Sequence, residues 1–359
     1  MAYTTIDDPS AHFQIALWTG DGSETHAITN DGNSDLQPDL VWIKCRSDAD
    51  DHILANTSSG ATKYLIPNTA GTEQTYAGNV KSFDSDGFTV GDGNQINQDT
   101  RTFVGWQWKA NGGSTTNVDG TGTAEDTTKA GTYQANTTAG FSIITFSTGV
   151  DDLGDHRIQH GLGAVPHFII TKERDGTYEW YTYHHKGTDD NDYLRLNIKD
   201  ATSDAGARNV FDGSDFTSIY FEMGNNNIVN DSKTYVAYCW TEIQGYSKFG
   251  SYTGNANDDG PFVYTGFKPA WLMFKNSDAS ERWFISDNKR DTFNSVEKHM
   301  RAESDYSEYS TTTSIDYLSN GFKIREDDNH MNGDGENIIY MAFAESPFVT
   351  SGGVPCTAR

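Results

Sequence analysis

The sequence predicts an all-β chain of three repeated β-sandwich domains, jelly-roll or lectin-like, on three observations. Short apolar and aromatic runs are cut by Gly, Asn, Asp, Ser and Thr; no long stretch has helical apolar spacing; and one set of strand landmarks occurs three times. Aromatics reach 13% and Gly numbers 35, the balance that pleated, half-buried strands and tight turns require.

The first landmark is a strand closing on an aromatic and small polar residues: Leu17-Trp18-Thr19-Gly20, Thr145-Phe146-Ser147-Thr148-Gly149 and Ser251-Tyr252-Thr253-Gly254. Pro38, Pro166 and Pro269 follow, each opening an apolar run with Lys44, Lys172 or Lys275 six positions on. Proline lacks an N–H and suits a strand start or edge. The runs behind it are nearly continuous, so both faces of that strand are covered. Eight residues beyond each lysine stand His52, Trp180 and Trp283. Each copy closes on Thr102-Phe103-Val104-Gly105-Trp106, Thr234-Tyr235-Val236-Ala237-Tyr238 or Ile339-Tyr340-Met341-Ala342-Phe343, with Gly105, Ala237 and Ala342 making room beside the rings.

Repeats of about 100 residues are whole domains, since solenoid periods are about 20–50. The expected boundaries are 1–112, 140–246 and 247–349, with a tail at 350–359. Residues 113–139, rich in Gly and Thr, read as a flexible linker. The joint at Gln244-Gly245-Tyr246 is tight, so copies two and three should form one stiff block with copy one loosely attached.

Charge narrows function. Lys plus Arg number 26 against 51 Asp plus Glu, a net −25 that repels nucleic acid and anionic membranes. No run approaches the roughly 18 apolar residues of a membrane span. The opening residues carry no basic or apolar region of a signal peptide, so synthesis in a cytosol is expected. Cys45, Cys239 and Cys356 are far apart and odd in number, which reads as free thiols.

Candidate chemistry is sparse. His184 and His185 are adjacent and point to opposite faces of a strand, and with His160 and His167 they lack zinc-ligand spacing. His160, in His-Gly-Leu-Gly, reads as a turn former. Asp189-Asp190-Asn191-Asp192, Asp258-Asp259 and Asp327-Asp328-Asn329 offer oxygen ligands of the kind Ca2+ takes, or solvated turns. There is no nucleophile elbow, phosphate loop or Cys/His arrangement, so no catalytic or metal residue is assigned and the chain reads as no enzyme. Trp42, Trp106, Trp180, Trp271 and Trp283 fall at repeated strand positions and read as core; Trp18, Tyr178 and Tyr181 are less constrained, and no binding residue is assigned.

Four longer stretches carry a resemblance: Ile158-Gln159-His160-Gly161-Leu162-Gly163, residues 244–255, residues 260–269 and residues 339–348. They resemble motifs of structural proteins from bacteriophages of cyanobacteria and other marine bacteria. The resemblance covers residues 141–359 and, less closely, the first 113. It implies a virion protein, tail- or fibre-associated, with a concanavalin-like sandwich and no catalytic residues to carry over. The expected role is host attachment, as a homo-oligomer among other virion subunits, with host surface glycan as a candidate ligand. A capsid decoration protein and a glycan-degrading virion enzyme are the alternatives.

Overall fold

The computed structural model describes residues 2–123, 126–149, 155–189, 191–204, 210–211, 213–224 and 229–356. The fold is all-β, with sandwich layering. In the first third, β1 (Phe13–Thr19), β2 (Leu40–Cys45), β3 (Ile53–Asn56) and β4 (Thr102–Trp108) pair in the order β1-β4-β2-β3. The middle third carries β5 (Gly131–Asn136), β6 (Phe141–Ser147), β7 (Phe168–Glu173), β8 (Tyr181–His184) and β9 (Thr234–Trp240), ordered β5-β6-β9-β7-β8. The last third carries β10 (Ser247–Thr253), the short β11 (Phe262–Tyr264), β12 (Phe267–Asn276), β13 (Trp283–Asp287) and β14 (Asn337–Pro347), with the run β10-β14-β12-β13. One order of four antiparallel strands therefore occurs in each third, referred to below as a unit.

Registers define which residues correspond. Lys44, Lys172 and Lys275 stand opposite Val104, Val236 and Ile339 on the closing strands. This corrects the alignment of the third closing strand by two residues. Ile338, not Tyr340, matches Phe103 and Tyr235, and Phe343 matches Trp108 and Trp240. Side chains alternate with period two, so a slip of two keeps every residue on its face and the pattern alone cannot detect it. Tyr340, not Ala342, thus occupies the place of Gly105 and Ala237. At Gly105 rings press in: a Cβ there would lie 3.1 Å from Phe88 and 3.2 Å from Trp18.

Each four-stranded sheet buries both faces, which is why β2 and β7 are buried at every position. The outer faces pack under separate second layers, around Ile43 and Phe88 in unit 1, Ile169 and Phe221 in unit 2, and Phe274 and Phe322 in unit 3. The inner faces meet. Trp42, Trp106 and Trp108 of unit 1, Phe168 and Trp240 of unit 2, and Trp271 and Phe343 of unit 3 belong to one core. Trp108 sets its ring edge-on to Trp240 and Trp271 at 6.2 and 5.7 Å. The expectation of a loosely attached first unit is corrected by this shared core. A continuous apolar run reports two covered faces without saying what covers them.

Residues 113–139 are likewise no free linker. They supply short strands at 116–118, 121–123 and 126–128, and β5 pairs with β6 along its whole length. Their polar composition builds no core, but backbone pairing onto an edge needs none. The partner is this chain itself. The terminal segments also meet: Tyr3 packs on Phe348, and Ser351 N donates to Asp7 at 2.6 Å. Residues 357–359 of the expected tail lie outside the described residues. No helix among the described residues is long and apolar enough to cross a membrane. Cys45 and Cys239 are buried free thiols, and Cys356 is half-buried.

The three lysines are buried and bonded alike. Lys44 Nζ donates to Cys45 O at 2.7 Å, Lys172 Nζ to Glu173 O at 2.6 Å, and Lys275 Nζ to Asn276 O at 2.6 Å. Each also reaches the carbonyl four residues on, Asp48, Gly176 or Ala279. Burial pulls all three ammonium groups down to about 8 from 10.5. Between those values the unfolded chain holds protons that the folded chain has released, so stability rises with pH there; below about 8 the cost is constant. Near 9 the Cys45 and Cys239 thiols, which burial pushes up, begin to act in the opposite sense. The urea midpoint is therefore expected to climb from about pH 8 to about pH 9, and Lys172→Met to flatten part of that climb. A midpoint that is flat or falling across that window in the unsubstituted chain contradicts the assignment.

Candidate functional site

The units join in cyclic order, each junction repeating the last. Arg46 O of unit 1 accepts from Glu308 N of unit 3 at 2.9 Å, Arg174 O of unit 2 from Glu73 N of unit 1 at 2.7 Å, and Ser277 O of unit 3 from Thr202 N of unit 2 at 2.8 Å. Arg46 forks onto Glu308 and Arg174 onto Glu73, with both bonds at 3.0 and 2.9 Å respectively. The landmark eight residues past each lysine serves the same junctions. His52 Nε2 donates to Arg301 O at 3.0 Å, Trp180 Nε1 to Thr69 O at 2.9 Å, and Trp283 Nε1 to Arg195 O at 3.0 Å.

Between junctions, an edge strand of each unit faces its neighbour across a cleft. Matching backbone bonds fix the correspondence: Thr57 N to Asp39 O, His185 N to His167 O, and Asn288 N to Ala270 O, at 2.9, 3.0 and 2.8 Å. The cleft between units 1 and 2 is filled by β5, whose Gln134 donates to Thr57 Oγ1 at 2.7 Å and Ser58 Oγ at 2.6 Å. At the corresponding place between units 2 and 3 lies a cavity of about 610 Å3, and between units 3 and 1 one of about 340 Å3.

The larger cleft has a polar floor and an aromatic wall. Glu242 accepts from Phe249 N at 3.1 Å and from Lys248 Nζ at 2.9 Å, while His185 Nε2 donates to Phe249 O at 2.6 Å. Burial lowers the His185 pKa to about 4, so the ring is neutral with its proton on Nε2. The wall is β11. Val263 is buried, and its neighbours Phe262 and Tyr264 are 48% and 53% exposed. Two residues apart on one strand, they share a face with their Cα atoms about 7 Å apart. Tyr3 holds Tyr264, hydroxyl to hydroxyl at 3.1 Å.

The other units show that the fold does not need these rings. Val263 pairs with Phe322 as Ile28 does with Phe88 and Ile158 with Phe221. Phe262 and Tyr264 thus stand where unit 1 has Ala27 and Thr29, and unit 2 has Arg157 and Gln159. Exposed rings beside Lys186, Lys248 and the neutral His185 suit a ligand with apolar faces and hydroxyl edges.

The match to one family model runs from residue 8 to residue 347, through all three units. The chain belongs to the DUF7483 family. That family is described as a domain of unknown function. No curated protein and no solved structure matches the chain.

In this DUF7483 chain the histidines singled out by sequence are hydrogen-bonded structural groups. His160 accepts from Leu162 N at 3.2 Å and shapes its turn, with burial lowering it to about 4. His184 Nε2 donates across to Tyr340 O at 3.1 Å, and His167 Nδ1 accepts from Glu242 N at 3.1 Å. Among the described residues no three His, Cys, Asp or Glu side chains converge to hold a metal ion. Of the acidic runs, Asp259 pairs with Lys323 at 2.7 Å and Asp328 caps the turn Asn329–Asn332 through His330 N. Asp190 lies outside the described residues. All five core-assigned tryptophans are buried, as is Trp18, while Tyr178 is exposed and Tyr181 half-buried. Phe262 and Tyr264 were missed by sequence reasoning, although the alternation Phe-Val-Tyr behind Pro261 carries the signal of an aromatic outer face.

Proposed function

We propose that this chain is a non-enzymatic structural protein of a bacteriophage surface, tail- or fibre-associated, that contributes to host attachment by binding surface glycan. We further infer that its units are three copies of one sandwich module, because strand order, buried lysine and junction bonds recur together. The observation that carries the glycan reading is the exposed Phe262–Tyr264 pair lining the cleft, at strand positions where the other units have Ala27 and Thr29 or Arg157 and Gln159. The phage setting rests on the motif resemblance in residues 141–359. A capsid decoration role alone gives the ring pair nothing to do. Hydrolysis needs two carboxylates in one cleft, and Glu242, the single acid lining this one among the described residues, is already engaged by Lys248 and Phe249 N.

The test is binding to envelope polysaccharide purified from a cyanobacterial host, alongside gold labelling of the protein on particles. Phe262→Ala with Tyr264→Ala is expected to weaken binding at least tenfold, the equivalent of about 1.4 kcal/mol, with the thermal midpoint unchanged. Equal binding by the double variant removes the cleft from attachment. Label confined to the capsid, with no polysaccharide binding, supports the decoration role instead.

A further inference from the structure

Three corresponding strand edges are treated in three ways. In β1, Gly20 N bonds to Arg101 O and Lys109 N to His12 O, so even-numbered positions pair with β4 and Ile15 and Leu17 turn their backbone outward. On β6 the same outward groups are covered by β5. On β10 the outward N–H and C=O of Phe249 are taken by Glu242 and His185, and Lys248 adds a charge to the strand. Natural edges are blunted by such covers and charges. β1 has neither. Its residues Phe13 to Thr19 include no charge and no proline, its pairing with β4 is unbroken, and Leu17 is 39% exposed. Among the described residues the outward groups of Ile15 and Leu17 make no hydrogen bond.

We propose that the edge of β1 takes an extended strand from a polypeptide other than this chain, seated in the cleft between units 3 and 1 as β5 is seated in its own. The proposal is independent of the functional reading above. The cavity of about 340 Å3 lies where Gln134 sits in the filled cleft, with Asn288 and Lys289 in the places of Thr57 and Ser58. An amide side chain opposite Ile15 therefore lies beside the polar groups of Asn288 and Lys289, which already hold Glu345 at 2.6 Å and Asp31 at 2.7 Å. The rim carries Asp8, Asp31 and Glu345 against Lys289, with Lys268 paired to Glu345 behind it, which leaves the mouth net acidic by one charge and favours a segment with a basic flank. Residues 31–33 wall the groove on one side and 288–289 on the other, so it admits one extended segment rather than the edge of a folded sheet. Affinity then comes from main-chain pairing and register from the alternate side chains.

The probe is a fluorescein-labelled peptide of residues 130–136 followed by one lysine. Its fluorescence anisotropy should rise and saturate with the full chain. Leu17→Pro removes an outward N–H without touching the β1–β4 ladder, and should weaken binding at least tenfold with the thermal midpoint nearly unchanged. Ser251→Pro, on the edge of β10, should leave binding intact. No saturable signal up to about 1 mM peptide (about −4 kcal/mol), or equal binding by Leu17→Pro, overturns the proposal. A dimer of the chain alone that Leu17→Pro dissolves assigns the edge to a second copy and overturns it too.

Discussion

Replacing Arg290 by methionine is expected to destabilise the fold by about 3–5 kcal/mol, the range for removing one partner of a buried ion pair. The guanidinium is fully buried: Nε meets Asp287 at 2.5 Å, Nη1 meets Glu308 at 3.2 Å and Nη2 donates to Ile285 O at 3.1 Å. Asp287 also accepts from Trp106 Nε1 of unit 1 at 3.0 Å, and Glu308 binds Arg46 of the same unit. Without Arg290 the Asp287 carboxylate stays buried beside an indole N–H and two backbone amides, with no cation. Urea denaturation measures the loss, and adding Asp287→Asn should recover part of it. A loss below about 1 kcal/mol would mean that the charge is reached by water and the cluster is not a buried network.

Trp108→Ala should cost a similar amount, about 3–5 kcal/mol for a large aromatic removed from a core. The form of the transition matters more than its size. Trp108 touches Phe13 of its own unit, Trp240 of unit 2, and Trp271 and Phe343 of unit 3. Its loss should lower one cooperative transition shared by all three units, seen alike by near-ultraviolet dichroism and by protease sensitivity of the first and last thirds. Melting of the first unit alone, with the other two intact, would show that the inner faces are docked rather than fused.

Much of the fold was legible because its repeated parts are chemically demanding. A buried lysine needs carbonyls to bond, so Lys44, Lys172 and Lys275 keep their place in the strand. Pro38 and Pro166 stand two residues before that strand, whereas Pro269 lies inside β12 at a register shift, which corrects the expected strand start in the third copy. Three things were hidden. The shared core was invisible because Trp240 facing another unit and Ile169 facing its own second layer look the same in an apolar run. β5 was invisible because strand pairing by backbone leaves no mark on polar side chains such as Gln134 and Thr132. The cleft lined by Phe262 and Tyr264 was hidden because exposure separates these rings from the buried aromatics, and composition does not report exposure. The internal comparison with Ala27, Thr29, Arg157 and Gln159 becomes available only when registers fix the correspondence.

Closing the ring with a single chain has a consequence for how its surface can change. In a homotrimer any substitution appears at all three clefts at once, so a residue that suits one is imposed on the others. Here the three clefts are encoded separately: one is sealed by β5, one is lined with Phe262 and Tyr264, and one has an acidic mouth beside a bare strand edge. The scaffold terms, lysine and junction bonds, remain common to all three, while each opening is free to specialise. A partner would therefore meet three different openings on a strand order that recurs in each third.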